Sequence, residues 1–188
     1  MRIVGGRLRG LKLTPVGQGD IAAHLRPTAD RVRESIFNLL INGGHGNPVS
    51  GASVLDLFAG TGAMGLEALS RGAARASFVD DGARACALIR ANIDLARAGA
   101  TASLLRRDAT RLGDCPGPGF TLVFLDPPYG AQLAEPALAS ALRGGWIAPG
   151  AMVVIEDARP PAPPAPLGTI DQRRYGDSII TLARMPQI

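Results

Sequence analysis

Residues 52–157 alternate between short runs of β-prone apolar residues and longer stretches with helical periodicity. This alternation is typical of strand–helix–strand units, in which the strands run parallel and helices cover both faces of the sheet. Residues 168–184 add two β-prone runs joined at Tyr175–Ser178, which predict a closing antiparallel hairpin. The sequence therefore predicts an α/β fold with a seven-stranded, mostly parallel sheet. Besides the two strands of the hairpin, the predicted strands are 52–58, 76–80, 102–108, 119–126 and 151–157, and the predicted helices are 63–72, 83–99 and 132–145.

The first 45 residues precede this alternation and differ from it in pattern and charge. Two short β-prone runs, 2–6 and 9–15, predict a hairpin, and 26–41 has the periodicity of a helix. Residues 1–33 contain seven basic and two acidic side chains, whereas the whole chain has a net charge of only +4. We therefore predict a small extension over 1–45, suited to binding phosphates, and a main domain over 46–188. The candidate phosphate contacts are Arg7, Arg9, Lys12, Arg26, Arg31 and Arg33.

A glycine-rich turn follows the first strand of the alternating region. Gly60, Gly62 and Gly65 form the pattern G-x-G-x-x-G between a predicted strand and a predicted helix, which is the context that gives the pattern its meaning. The first two glycines allow a tight turn and close approach of the backbone to a ligand, and the third allows close helix packing. The turn predicts a ligand with an adenosine-like half but does not identify that ligand.

Acidic residues stand at the ends of several predicted strands. Asp80 lies 20 residues after Gly60, where a carboxylate can bind two vicinal ribose hydroxyls, and the adjacent Asp81 could take this role instead. Asp56 precedes the glycines, where a ligand ammonium or sulfonium would offset its charge. Because a pyrophosphate gains nothing from an acid there, Asp56 favours S-adenosylmethionine over a dinucleotide. Two further candidates, for contact with an adenine, are the side chain of Asp108 and the backbone amide of Ala109.

The stretch FTLVFLDPPYG, residues 120–130, ends a buried strand on a rigid loop. Proline cannot donate to a sheet ladder, so the strand stops and Asp126, Pro127, Pro128 and Tyr129 form a stiff exit at its carboxyl end. In a parallel sheet, this end lies on the same edge as the glycine turn. The sequence therefore places a carboxylate and an aromatic ring beside the predicted ligand.

Taken together, these motifs resemble a known family. "LDLFAGTGAMGLEALSRGA" followed by "LVFLDPPY" resembles the class I S-adenosylmethionine-dependent methyltransferases whose [Asn/Asp]-Pro-Pro-[Tyr/Phe] loop acts on exocyclic amines of nucleobases. "RIVGGRLRGLKL" and "LRPTADRVRESIFNLL" narrow the resemblance to the RsmD family, guanine-N2 methyltransferases of small-subunit ribosomal RNA. The resemblance implies a Rossmann-like fold, S-adenosylmethionine as cofactor, and residues 1–45 as an RNA-binding extension. The implied partner is 16S ribosomal RNA within a 30S subunit or an assembly intermediate.

The chemistry of the loop agrees with this resemblance. An exocyclic amine is a poor nucleophile because its lone pair is delocalised into the ring. If the Asp126 carboxylate and the Pro127 carbonyl accept its two N–H bonds, the nitrogen can pyramidalise toward the methyl group, while Tyr129 stacks on the base. The predicted catalytic residues are therefore Asp126, Pro127, Pro128 and Tyr129. The predicted cofactor-binding residues are Asp56, Phe58, Gly60, Thr61, Gly62, Gly65, Asp80, Asp81, Asp108 and Ala109.

Three alternatives fit parts of the pattern. A methyltransferase acting on DNA adenine or cytosine could use the same loop, although 188 residues leave little room for an added recognition region. A nicotinamide oxidoreductase could use the glycine turn, but a hydride-transfer constellation is not visible in the sequence. A catalytically silent RNA-binding module of the same fold is disfavoured by the intact loop over 126–129.

Other features limit the class of protein. Cys86 and Cys115 lack the spacing of a metal site, so neither a metal nor a disulfide framework is predicted. No apolar run reaches the roughly 18 residues needed to span a bilayer, and the start of the chain lacks the apolar core of a secretory signal. We therefore expect a cytoplasmic monomer without a metal and without membrane contact.

Overall fold

The computed structural model describes residues 1–16, 30–128, 130 and 132–187. These residues form one seven-stranded sheet with helices on both faces. The strands are β1 (Ser53–Leu57), β2 (Arg75–Asp80), β3 (Ala102–Arg106), β4 (Phe120–Leu125), β5 (Ile147–Asp157), β6 (Gly168–Tyr175) and β7 (Ser178–Arg184). The α-helices in this part of the chain are α1 (Asp30–Asn42), α2 (Ala63–Ser70), α3 (Ala83–Leu95) and α4 (Ala134–Arg143), and a short 3-10 helix covers Ala109–Arg111.

The strands lie in the order β3-β2-β1-β4-β5-β7-β6. Strands β1 to β5 run parallel, and β7 pairs antiparallel with both β5 and β6. The predicted α/β fold and its closing hairpin are therefore confirmed. In open sheets of this kind, ligands bind at the carboxyl ends of the strands where the strand order reverses. Here that position lies between β1 and β4.

Helices α1, α2 and α3 cover one face of the sheet. Because side chains alternate along a strand, Phe78 of β2 and Phe124 of β4 point to this face, where they join the buried core. Ile36, Phe37 and Leu40 of α1 belong to the same core, and the rings of Phe37 and Phe124 lie 5.6 Å apart between centroids. The helix of the predicted extension therefore packs directly on the sheet.

Helix α4 and the 3-10 helix cover the opposite face. Val123 and Val153 point to this side and pack with Leu138 of α4 in a second buried core. The Trp146 indole stacks on Phe120 with ring centroids 6.0 Å apart. Beside these rings, at the amino ends of β2 and β3, lies a cavity of about 410 Å³. It is at the opposite end of the strands from the predicted ligand edge.

Residues 1–13 reverse direction more tightly than the predicted hairpin. A single bridge pairs Arg2 with Lys12, and neither predicted run forms a strand. Gly6 and Gly10 have left-handed φ values of 73° and 89°, which glycine adopts without a steric cost. The glycines therefore turn the chain before a longer ladder can form.

Candidate active site

Three acidic residues converge at the carboxyl ends of β1, β2 and β4. Asp56 of β1 pairs in register with Phe78 of β2 and Phe124 of β4. Asp80 and Asp126 follow these partners by two residues, the spacing at which strand side chains return to the same face. The negative charges of Asp126 and Asp80 both act on Asp56. The structure therefore brings together acids that the sequence placed at separate strand ends.

Asp56 is a buried carboxyl group in contact with the start of α2. The residue is 2% exposed, and its Oδ2 accepts the backbone N–H of Gly65 at 2.9 Å. Burial raises the pKa of Asp56 to about 8; the charges of Asp126 and Asp80 add to the rise, and the Gly65 N–H opposes it. The carboxyl group is therefore mostly protonated at neutral pH, and a cation placed beside it would favour its charged form.

The glycine turn connects β1 to α2, as predicted. Gly60 and Gly62 have left-handed φ values of 56° and 76°. Gly65 is required by packing, because a Cβ at this position would lie 2.4 Å from Cε1 of Phe78. The left-handed backbone conformation thus explains Gly60 and Gly62, and close packing explains Gly65. The other two residues predicted for this turn are the half-buried Phe58, with a φ of 58°, and the buried Thr61.

Asp80, rather than Asp81, contacts the glycine turn. Its Oδ2 accepts the N–H of Gly60 at 2.9 Å, and its Oδ1 accepts the N–H of Gly82 at 2.9 Å. Burial raises the pKa of Asp80, while these two hydrogen bonds oppose the rise. Asp81 is exposed directly after the end of β2. Of the two predicted ribose ligands, Asp80 is the one positioned against the turn.

Asp108 caps the 3-10 helix that follows β3. Its Oδ1 accepts the hydroxyl of Thr110 at 2.7 Å and the backbone N–H of the same residue at 2.8 Å. These bonds lower the pKa of Asp108. Ala109 is buried directly after the cap. The Asp108 side chain therefore has a local structural contact, and the adenine contacts of Asp108 and Ala109 stay predictions.

The loop after β4 begins with a half-buried carboxylate followed by two prolines. Pro127 is buried and Pro128 is half-buried, so the chain leaves the sheet along a path with little freedom. Asp126 lies close enough to Asp56 for its charge to raise the pKa of Asp56. Tyr129 lies outside the described residues, and its stacking role stays a prediction.

The structure places Arg33 in the protein interior. The residue is 0% exposed, its Nε lies 3.4 Å from Oε2 of Glu67, and its Nη2 lies 2.9 Å from Oδ1 of Asp30. The Nη2 also donates to the carbonyl of Arg2. A buried guanidinium bound to two carboxylates cannot reach an RNA phosphate. The prediction for Arg33 was therefore wrong, and this arginine anchors the start of the chain instead.

The other basic candidates in the described residues lie on the surface. Arg7 and Arg9 are exposed in the first chain reversal, Lys12 is exposed where that reversal closes, and Arg31 is exposed on α1. Arg26 lies outside the described residues. Contact of these five side chains with RNA stays a prediction.

Two buried polar residues that the sequence analysis did not single out connect the amino-terminal segment to the site. Glu67 of α2 accepts the backbone N–H groups of residues 4 and 5, each at 2.8 Å. Asn92 of α3 accepts the N–H of Thr14 at 2.8 Å and donates to the carbonyl of Thr61 at 2.9 Å. The only sign in the sequence was a polar residue on an apolar helix face. These partners are 31 to 78 residues away in the chain, so the sequence could not identify them.

The described part of the chain lacks two other kinds of feature. Within it, no group of three or more His, Cys, Asp or Glu side chains is arranged to hold a metal ion. None of its helices has both the length and the apolar character needed to cross a membrane.

The arrangement at the sheet edge suits a ligand that carries a cation at one end and a ribose at the other. Asp56 is a buried acid whose charged form a cation would stabilise. Asp80 presents a carboxylate beside the turn, and the left-handed glycines let the backbone approach a ligand closely. S-adenosylmethionine has both features, since it carries an ammonium, a sulfonium and a ribose.

Comparisons with known proteins agree with this geometry. The family model described as "Conserved hypothetical protein 95" matches residues 1–184. Ribosomal RNA small subunit methyltransferase D from Escherichia coli (strain K12) is 39% identical over 158 residues, which cover 83% of this chain and 74% of that protein. The solved structure of yhhF from Escherichia coli has a TM-score of 0.81 and 32% identity, covering 100% of this chain and 99% of that one. An RNA methyltransferase from Salinibacter ruber, solved in complex with S-adenosyl-L-homocysteine, shares the fold with a TM-score of 0.66 and 17% identity, covering 87% of this chain and 95% of that one.

Proposed function

Because the chain belongs to the RsmD family, whose matching model is described as conserved hypothetical protein 95, we propose that it methylates the N2 amine of a guanine in small-subunit ribosomal RNA. The protein is a methyltransferase, and its cofactor, S-adenosylmethionine, supplies an activated methyl group when bound. The name of the Escherichia coli relative supports ribosomal RNA as the substrate. The convergence of Asp56, Asp80 and Asp126 beside the glycine turn is the observation that carries the proposal.

The residues at this edge of the sheet suit both the ribose end and the cationic end of the cofactor. The carboxylate of Asp80, held beside Gly60, suits the ribose hydroxyls. The buried carboxyl group of Asp56 suits the cationic end, because a neighbouring positive charge offsets the cost of ionising it. The left-handed backbone at Gly60 and Gly62 leaves space for close approach.

Asp126 and Pro127 are the proposed acceptors for the target amine. Hydrogen bonds from the amine to the Asp126 carboxylate and the Pro127 carbonyl would turn the nitrogen lone pair away from the ring. The nitrogen must lose a proton when it gains a methyl group, and Asp126 is the proposed acceptor of that proton. Fixed orientation of the reacting atoms can supply roughly 7–11 kcal/mol of the barrier reduction. Stacking on Tyr129, worth about 1–3 kcal/mol, would offset the loss of base stacking in the RNA.

The basic amino-terminal segment is the proposed RNA contact. Arg7, Arg9, Lys12 and Arg31 are exposed and can neutralise phosphates, and Arg26 belongs to the same proposed set. We assign residues 1–45 to RNA binding and residues 46–188 to methyl transfer. The proposed substrate is 16S ribosomal RNA in a 30S subunit or an assembly intermediate, and the proposed active form is a monomer.

Methyl transfer with labelled S-adenosylmethionine tests the proposal. The protein is incubated with unmethylated small ribosomal subunits, naked small-subunit RNA and duplex DNA in parallel, with Asp126→Ala as the inactive control. We expect label in ribosomal RNA, recovered as N2-methylguanosine after nuclease digestion and mass spectrometry. Label only in DNA, or label in RNA at a different atom, would contradict the proposed substrate. Transfer by Asp126→Ala at the wild-type rate would contradict the proposed mechanism.

A further inference from the structure

The Asn92 side chain links the glycine turn to the amino-terminal segment. Asn92 lies on α3 and is 0% exposed. Its Oδ1 accepts the N–H of Thr14 at 2.8 Å, and its Nδ2 donates to the carbonyl of Thr61 at 2.9 Å. Thr61 stands between Gly60 and Gly62, both of which have left-handed φ values. We call the chain of contacts from Thr14 through Asn92 to Thr61 the bridge.

The amino-terminal segment also contacts α2, the helix that begins at the glycine turn. Glu67 accepts the backbone N–H groups of residues 4 and 5. The carbonyl of Ser70 accepts the N–H of Arg7 at 2.7 Å, and its hydroxyl donates to the carbonyl of Gly5 at 2.6 Å. The segment that carries the exposed Arg7 and Arg9 is therefore fixed at one end to α2 and at the other end, through the bridge, to the turn.

We propose that Asn92 is a positioning residue that couples the glycine turn to the basic amino-terminal segment, so that cofactor and RNA each strengthen the binding of the other. The inference rests on the proposed function, because it takes RNA as the ligand of the segment. Asn92 is placed to contact neither ligand itself. It acts through the carbonyl of Thr61 on one side and the amide of Thr14 on the other.

Shared ordering explains why the coupling should be positive. Cofactor binding requires the backbone of the turn in one position, and RNA binding requires the segment in one position. The bridge fixes the turn and the segment at the same time. The ligand that binds first therefore pays most of the conformational entropy lost when they are ordered, and the second ligand binds with a smaller entropy loss. The coupling must be reciprocal, and a factor of at least about fivefold is expected.

Two substitutions cut the bridge at opposite ends. Asn92→Asp has the same shape and keeps an oxygen for the N–H of Thr14, but it removes the N–H donor to Thr61. Thr14→Pro removes the backbone N–H and leaves Asn92 and Thr61 unchanged, without introducing a buried charge. Asn38→Asp is the matched control, since Asn38 is exposed on α1 and gains the same charge away from the bridge.

The coupling is measured from binding alone. The dissociation constant of S-adenosylhomocysteine, which has no methyl group to donate, is determined with and without saturating small-subunit ribosomal RNA. We expect RNA to tighten binding at least about fivefold in the wild-type protein and in Asn38→Asp, and by a factor near one in both bridge variants. Amide hydrogen exchange at Leu13, whose N–H donates to the carbonyl of Met1, should slow with S-adenosylhomocysteine in the wild type but not in Asn92→Asp.

Other outcomes would overturn the inference. If RNA changes the dissociation constant of S-adenosylhomocysteine by a factor near one in the wild type, the two sites are not coupled. A wild-type factor retained in both bridge variants, even with weaker binding of each ligand, means that Asn92 has only a structural role. If the wild type transfers methyl groups to ribosomal RNA in either case, the proposed function stands and only this inference fails. If it neither binds nor methylates RNA, both fail.

Discussion

At the scale of single residues, Asp56 connects the electrostatics of the site to the stability of the protein. Its carboxyl group is buried between β1 and α2, and two other acids lie near it. The resulting pKa of about 8 means that the folded protein binds a proton that the unfolded chain would release at neutral pH. A cation bound beside Asp56 would reverse this preference. The same burial that costs stability in the free enzyme therefore favours a cationic ligand.

Asp56→Asn should remove this pH dependence. The folded pKa is raised from 3.8 to about 8, so ionisation of Asp56 has no effect on stability below pH 3.8 and destabilises the wild type progressively as pH rises toward 8. The amide keeps an acceptor for the Gly65 N–H but does not ionise. We expect the free energy of unfolding of Asp56→Asn to exceed that of the wild type by an amount that grows from pH 4 to pH 8, by up to about 1.4 kcal/mol per pH unit.

Urea unfolding of both proteins at several pH values measures this difference. Titrating groups away from Asp56, such as Asp108, are common to both proteins and cancel in the comparison. Parallel stability curves over pH 4–8 would contradict the assignment of a raised pKa to Asp56.

Asp126 and Asp80 should affect different steps of the reaction. Asp126→Asn should lower the rate of methyl transfer by about 10²-fold or more, with little effect on cofactor affinity, because it removes the proposed proton acceptor. Asp80→Asn should weaken cofactor binding by about 10- to 100-fold, because it removes a charged acceptor beside the turn. Calorimetric titration with S-adenosylhomocysteine and single-turnover transfer separate the two effects. Equal losses in both quantities for both variants would contradict the separate roles.

The sequence located these acids because each follows a run of strand-forming residues, and strand ends meet at one edge of a parallel sheet. It did not distinguish Asp80 from Asp81, since that choice depends on which carboxylate faces Gly60. It misjudged Arg33, because charge alone does not reveal a partner such as Glu67, 34 residues further along the chain. The position of a side chain in the fold was therefore predictable where the backbone pattern determines it, and not where a long-range contact does.

At the scale of elements, α2 contacts both the glycine turn and the amino-terminal segment. All eight of its residues are buried, including the polar Glu67 and Ser70. Its first turn lies against Phe78 through Gly65, and its last turn holds residues 5 and 7 through Ser70. A displacement of this helix would move both the glycine turn and the basic segment.

Gly65→Ala should show how closely α2 must pack. The added Cβ would lie 2.4 Å from the Phe78 ring, so the helix or the ring has to move. We expect a loss of about 1–3 kcal/mol in the free energy of unfolding, together with weaker cofactor binding. Gly99→Ala is the control, because a Cβ at that position would meet nothing within 4 Å. Chemical denaturation and calorimetry measure the two effects, and a Gly65→Ala variant as stable as Gly99→Ala would contradict the packing argument.

Most elements could be predicted because their patterns are local. The strands from β1 to β4 are short runs of strand-forming residues, of which β2 ends on Asp80 and β4 ends directly before Asp126. Helix α3 has clear helical periodicity. The first chain reversal was predicted with two strands, which the positive φ values of Gly6 and Gly10 do not allow to extend. The order of the strands in the sheet was not predicted, since it depends on pairings between distant segments.

At the scale of the whole molecule, the sequence and the structure agree that basic charge is concentrated at the amino end. The structure changes the membership of that cluster, because Arg33 is buried and paired whereas Arg7, Arg9, Lys12 and Arg31 are exposed. The buried Arg33–Glu67 pair holds the backbone of the amino-terminal segment through hydrogen bonds to residues 2, 4 and 5. The exposed basic side chains of the segment stay on the surface, where a ligand can reach them. The positive charge of this region is therefore divided between the buried Arg33, which has a structural role, and the exposed side chains, which we propose contact RNA.

Replacing Arg7 and Arg9 together by alanine should weaken RNA binding and leave cofactor affinity unchanged. Each phosphate contact that is lost reduces the number of counterions released when RNA binds. A plot of the logarithm of the RNA association constant against the logarithm of the salt concentration should therefore have a slope smaller in magnitude by about 1.4–1.8 for two charges. The loss of affinity should be largest at low salt. Arg143→Ala with Arg159→Ala is the matched control, since both arginines are exposed outside the segment and the variant has the same net charge. If both double variants reduce the slope equally, RNA responds to total charge and the segment has no special role. A reduced slope in the first variant alone would place the phosphates at the amino-terminal segment, next to the residues proposed to bind the cofactor.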